Sequence, residues 1–154
     1  MADPENTLIL ETTKGRVVIE MRPDLAPGHV ARIKELARQG FYDGVKFHRV
    51  IDGFMAQTGD PQGNGTGGSG KKLKAEFSAE KHGRGTVSMA RAQSPDSGDS
   101  QFFICFAEAP HLNRQYTVWG KVIEGMENID AIQKGEQPRN PDKIVPMRVA
   151  ADAA

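Results

Sequence analysis

The chain has 154 residues, 38% of them hydrophobic, enough for one domain with an enclosed core and without an apolar run long enough to span a bilayer. Lysine plus arginine equals aspartate plus glutamate, 20 against 20, so charge gives no reason to expect nucleic acid or a membrane surface as the main partner. The opening MADPENTLIL lacks a basic stretch followed by a long apolar one, which argues against a secretory leader and predicts a cytoplasmic protein.

Seventeen glycines and nine prolines are spread as punctuation, with no internal repeat and no second domain. Residues 8–11 and 16–21 read as two strands joined by Thr-Thr-Lys-Gly in a hairpin. A helix is predicted over 27–38. Val30, Ile33 and Ala37 form its apolar stripe, Pro27 suits the first turn, and Gly40 suits the position after the end. Short strands are predicted at 46–51, 54–58, 86–90, 101–106 and 118–123. A second helix over 126–133 carries Met126, Ile129 and Ile132 on one side, and 144–149 alternates as a last strand. Short strands with turns between them and only two helices define a mainly β fold, an antiparallel sheet or barrel. The single cysteine, Cys105, sits in the apolar run 102–106 and reads as a buried thiol; there is no disulfide framework.

Two segments carry the chemistry. FHRVIDGFMAQTGDPQGNGTGG (47–68) and SGDSQFFICFAEAPHL (97–112) set one arginine, two glutamines and several large apolar side chains among strands. They contain no activated nucleophile and no metal cage. Strand residues two apart share a face, which puts Arg49 beside Phe47, Met55 beside Gln57, and Gln101 beside Phe103. Phe102, Ile104 and Phe106 can fill an interior. Phe103 then points the other way and needs separate cover, either a helix packed outside or a ligand.

FHR at 47–49, GFM-x-Q at 53–57, GTGG at 65–68 and SQFFI at 100–104 occur in an order that closely resembles the cyclophilins, the peptidyl-prolyl cis–trans isomerases. Gly85-Thr-Val-Ser-Met-Ala90, Trp119-Gly-Lys-Val122 and a helix starting near Ala26-Pro27 extend the resemblance to about residues 6–149. It implies one domain over 1–154, an eight-stranded antiparallel closed β-barrel capped by two α-helices, one over each open end. It also implies rotation about X-Pro bonds of proline-containing polypeptides, in the service of folding, by a monomer without cofactor or metal. Phe54, Met55, Phe103 and Leu112 would form the pocket for the proline ring. Gln57 would bond the substrate near Arg49, and Gln101 would line the same groove. The backbone at Arg91, with Ala90 and Ala92, would hold the residue before proline, and Gly65 would permit close approach.

Arg49 is the candidate catalytic residue on chemical grounds. The prolyl bond resists rotation because of its partial double-bond character. A donor placed over the nitrogen localises the lone pair once the bond twists, and a guanidinium is always charged and forked. Three positions depart from the pattern of many eukaryotic members: His111 for tryptophan, Tyr116 for histidine and Arg91 for asparagine. His111 lacks a broad indole face and its N–H, which predicts weak binding of cyclosporin with activity retained.

Other patterns lead elsewhere. Gly65-Thr-Gly-Gly-Ser-Gly-Lys71 approaches a phosphate-binding loop, but Lys72 stands where the Mg²⁺-holding hydroxyl belongs and no helix of the expected length follows. His29, His48, His82 and His111 lack metal-ligand spacing. His48 falls on the opposite strand face from Arg49 and reads as structural or as part of the groove wall. Ser88, Ser97 and Ser100 have no nucleophile-elbow context. Lys71, Lys72, Lys74 and Lys81 read as a solvated loop.

Overall fold

In the computed structural model, residues 3–63, 67–135, 139 and 141–152 are described, so Gly65 lies outside them. The chain begins with a short 3₁₀ turn, Pro4–Asn6, then the hairpin β1 (Thr7–Thr12) and β2 (Gly15–Met21), paired from Thr7↔Glu20 to Thr12↔Gly15. After helix α1 (Pro27–Arg38) come β3 (Arg49–Ile51), β4 (Met55–Thr58), β5 (Thr86–Met89) and β6 (Phe102–Cys105). A 3₁₀ turn at Pro110–Leu112 precedes β7 (Val118–Glu124), α2 (Met126–Asp130) and β8 (Ile144–Val149). All eight strands form one antiparallel sheet in the order β3-β4-β6-β5-β7-β2-β1-β8.

The sheet curls without a continuous ladder closing it, so "closed" overstates the expected barrel. Its two outer strands, β3 and β8, are the ends of the strand order and do not pair with each other. Backbone bonds from Gly44 and Phe47 to Ile144 and Asp142, and from Ile144 back to Val45, draw the strand-β8 edge toward the segment before β3. Val50 of β3 exchanges both backbone bonds with Gly135, at 2.7 and 2.6 Å. The inner face holds the main core, in which Leu8, Ile19, Ile33, Phe102, Ile104 and Trp119 are sealed from solvent.

Helix α1 shows how sequence becomes geometry. It ends where Gly40 (φ +72°) lets the chain reverse, with Phe41 N–H bonded to Leu36 C=O and Gly40 N–H to Ala37 C=O. Its start lacks a capping side chain of its own, since the N-cap is Ala26. Glu76, from the long connection between β4 and β5, supplies the missing acceptor: its carboxylate takes the N–H groups of Gly28 (3.1 Å) and His29 (2.8 Å), and the His29 ring at 2.6 Å.

Two expectations fail. Phe47 does not share a face with Arg49. Lys46 forms only an isolated bridge to Lys143 and the ladder begins at Arg49, so alternation does not extend back, and Phe47 lies in the inner core while Arg49 is exposed. The second helix ends at Asp130 instead of 133: Ile132 N–H bonds to Ile129 C=O, a tightened turn that releases the chain toward Gly135 and its pairing with Val50.

Candidate active site

The pairing register assembles the site. Arg49 lies opposite Gln57, Gln57 opposite Phe103, and Phe103 opposite Ser88, one row crossing β3, β4, β6 and β5 on the outer face. The next row of that face is Ile51, Met55 and Cys105. The intervening residues Val50, Ala56, Ile104 and Val87 point inward. Strict alternation therefore gives this half of the sheet a second apolar cluster, Met55, Phe103, Cys105, Ala109 and Leu112, outside the main core, with Ile51, Phe54, Ala90 and Tyr116 packed around it. Of the two covers open to Phe103, among the described residues no α-helix packs on this cluster; Leu112 from the Pro110–Leu112 turn walls it, and the ring borders a recess.

The opening is a recess of about 310 Å³ lined by Arg49, Phe54, Met55, Gln57, Ala90, Arg91, Phe103, His111, Leu112 and Tyr116. Its floor is apolar and its rim cationic. Phe54 and His111 face each other across one end, ring centroids 5.4 Å apart. A larger polar recess, about 500 Å³, adjoins it and shares Gln57, Ala90 and Arg91; Ala92 and Gln101 lie there. The two glutamines link the recesses: Gln57 Nε2 donates to Gln101 Oε1 at 3.0 Å, and Gln101 Nε2 donates to the Gly67 carbonyl at 2.9 Å. Every candidate residue within the described part of the chain thus borders one of two joined depressions. Arg91 and Tyr116, two of the three departures from the eukaryotic pattern, touch each other there, with the guanidinium carbon 4.7 Å from the ring centroid.

Behind the wall lies a residue that sequence reasoning passed over. His82 is buried, stacks on Phe103 at 6.2 Å and meets Tyr116 nearly at right angles. Asn113 Oδ1 accepts the His82 backbone N–H at 2.7 Å and faces ring Nδ1 at 3.2 Å, so Nδ1 carries the proton. Nε2 lies 2.9 Å from the Ser88 hydroxyl, whose one proton is shared between this nitrogen and the Thr117 carbonyl at 3.0 Å. Burial holds this imidazole below the usual histidine value, consistent with the neutral form. No local motif announces His82; only the pairing of Ser88 with Phe103 places it.

The decoys resolve physically. In the glycine loop, the N–H groups of Ser69 and Gly70 that could face a phosphate are already bonded to Asp99, at 2.8 and 3.0 Å. His48 is buried behind the row, its pKa lowered by burial, beside Asp60 and Gln101. Burial pushes the Cys105 thiol up to about 12, which leaves it inert as a nucleophile. Among the described residues no group of three or more His, Cys, Asp or Glu is arranged to hold a metal, and no helix is long and apolar enough to cross a membrane.

An antiparallel curled sheet whose outer face bears an apolar recess rimmed by Arg49 and Gln57 defines a class, and the comparisons agree with it. The family model described as "Cyclophilin type peptidyl-prolyl cis-trans isomerase/CLD" matches residues 7–150, and the chain belongs to that family of isomerases. It is 55% identical over 168 residues to a probable peptidyl-prolyl cis-trans isomerase of Brucella suis, across 98% of this chain and 86% of that protein. Among solved structures, a cyclophilin from Hirschia baltica superposes with a TM-score of 0.92 at 33% identity, covering 99% of this chain and 77% of the other. A cyclophilin-type isomerase of Cryptosporidium parvum, crystallised in the presence of the dipeptide Ala-Pro, gives 0.87 at 30% identity, covering 93% and 98%.

Proposed function

We propose that the apolar recess takes the ring of a substrate proline and that Arg49 stabilises the twisted peptide bond beside it. The observation that carries this reading is the single row Arg49–Gln57–Phe103, which sets a cation, an amide and an aromatic wall side by side over one depression. The uncatalysed barrier is about 18–20 kcal/mol, and an acceleration of about 10⁵ requires about 7 kcal/mol of transition-state preference. A guanidinium N–H aimed at the prolyl nitrogen bonds best when the lone pair is localised, in the twisted state, and hardly at all in the planar ground state. Removing one such donor from a partly dry site costs about 3–4 kcal/mol. The remainder comes from holding one side of the bond still: the ring in the recess, and the preceding residue along the backbone at Ala90, Arg91 and Ala92, while the rest of the chain turns. Gln57, tied to Gln101, orients a substrate carbonyl close to Arg49. Substrates are proline-containing segments of unfolded or flexible polypeptides, and the cellular role is assistance of folding.

The test is isomerisation of an Ala-Ala-Pro-Phe type peptide, followed by protease coupling or NMR exchange. Arg49→Ala should lower kcat/KM by about 10²–10³ with an unchanged melting temperature, because the side chain is exposed on a three-residue strand. Full activity in a folded Arg49→Ala protein would falsify the mechanism.

A further inference from the structure

We propose that the Arg91 side chain is a positioning residue for the recess: it clamps Tyr116 in place as an end wall. The proposal rests on reading the recess as the prolyl site.

Three carbonyls fix the guanidinium. Nε donates to Gln115 C=O at 2.9 Å, and Nη1 donates to Ala92 C=O at 3.0 Å and to Gln93 C=O at 3.1 Å. These acceptors come from two separate loops, one leaving β5 and one entering β7, so Arg91 is a cross-link between them. Its planar group lies over the Tyr116 ring, 4.7 Å from the centroid. The ring meets Phe103 at 5.6 Å and 84°, and His82 at 6.5 Å and 77°. Tyr116 therefore has two perpendicular aromatic contacts and one cationic contact holding it in place. Among the described residues no hydrogen bond orients its hydroxyl, so packing against these rings, the guanidinium and the apolar cluster sets its position. A lysine could supply the charge but not the planar fork that binds three carbonyls at once.

The consequence is specific. The Arg91 guanidinium shapes the recess through Tyr116; contact with substrate at this position belongs to its backbone. A guanidinium over a half-exposed ring corresponds to about a two- to fivefold effect on binding. Arg91→Ala should raise KM for the peptide by that factor and leave kcat unchanged, since Arg49 and Gln57 stay where they are. Arg91→Lys should recover only part of the loss. In a Tyr116→Ala background, Arg91→Ala should add nothing further. If the two losses add in full, the clamp is overturned. A loss on Arg91→Ala that grows for peptides with glutamate beside proline and vanishes for those with lysine would also overturn it, by showing direct contact with substrate. A spectroscopic arm needs neither mutation nor turnover: in the wild-type protein the Arg91 side-chain protons should be shifted upfield by the Tyr116 ring current, and random-coil shifts there would overturn the stack. Inactivity of the wild-type protein alongside shifted Arg91 resonances would instead indict the catalytic reading and leave the clamp standing.

Discussion

Phe103→Ala should damage stability and turnover together, for separable reasons. The ring is 4% exposed. One side stacks on His82, its edge meets Tyr116, and Met55, Leu112 and Cys105 complete its surroundings. Truncation of a buried phenylalanine costs about 3–5 kcal/mol. The lower end applies here, because the void opens toward solvent at the recess and water can enter it. With a urea slope of about 2 kcal/mol per M, a loss of about 3 kcal/mol lowers the unfolding midpoint by about 1.5 M. Activity should fall about tenfold or more, without urea and at a temperature where the variant is folded, because the recess proposed to take the proline ring loses its main apolar wall. Phe102→Ala is the internal control. Its ring points to the other face, against Tyr42 and Trp119, and is fully sealed, so it should cost at least as much stability without removing a recess wall. Urea melts and peptide isomerisation, both at fixed temperature, give the answer. A Phe103→Ala protein within about 1 kcal/mol of wild type and equally active would refute the assignment of this ring to both roles.

Glu76→Gln removes the charge that caps α1 from another part of the chain and should cost about 1 kcal/mol, read as a drop of a few degrees in melting temperature; no drop would mean that water caps the helix equally well. Burial lowers the pKa of His29, His48 and His82 from 6.5. The unfolded chain therefore binds more protons below that value, and stability should decline as pH falls from about 6.5 until it passes the folded values. Glu76 adds a loss in the same direction further into acid. Burial alone would raise its carboxyl, but the bonds from the His29 ring and the backbone of Gly28 and His29 outweigh that and hold it below 4.5. A melting temperature flat between about pH 7.5 and about pH 5 would contradict the histidine contribution, and one flat from about pH 5 to about pH 3 the Glu76 contribution. Cyclosporin should inhibit only weakly, because His111 is an exposed imidazole tilted against Phe54; inhibition at sub-micromolar concentration would show that the indole face is dispensable.

How much was legible depended on the range of the interaction. The boundaries of α1 follow from Pro27 and Gly40, both local signals, and the structure reproduces them. Outward Phe103 and inward Phe102 and Ile104 follow from period-two alternation within β6. Phe47 was misplaced because alternation holds only where a ladder enforces it, and the ladder starts two residues later. The Glu76 cap acts over 47 and 48 residues, and a glutamate in a polar loop carries no sign of its partner. Arg91 and Tyr116 were each legible as recess residues, but their stacking was not, since it depends on two loops meeting. His82 was weighed only as a metal ligand. Its role as backing for Phe103 needs the register of β5 against β6, which no single segment encodes.

The seam between the outer strands has a bearing on behaviour at high concentration. An open sheet presents backbone donors and acceptors that can template intermolecular β-structure. Here Gly135 occupies the amide and carbonyl of Val50 on one flank, while Gly44, Val45 and Phe47 engage the start of the other. The chain thus keeps its own margins from recruiting other polypeptides as extra strands.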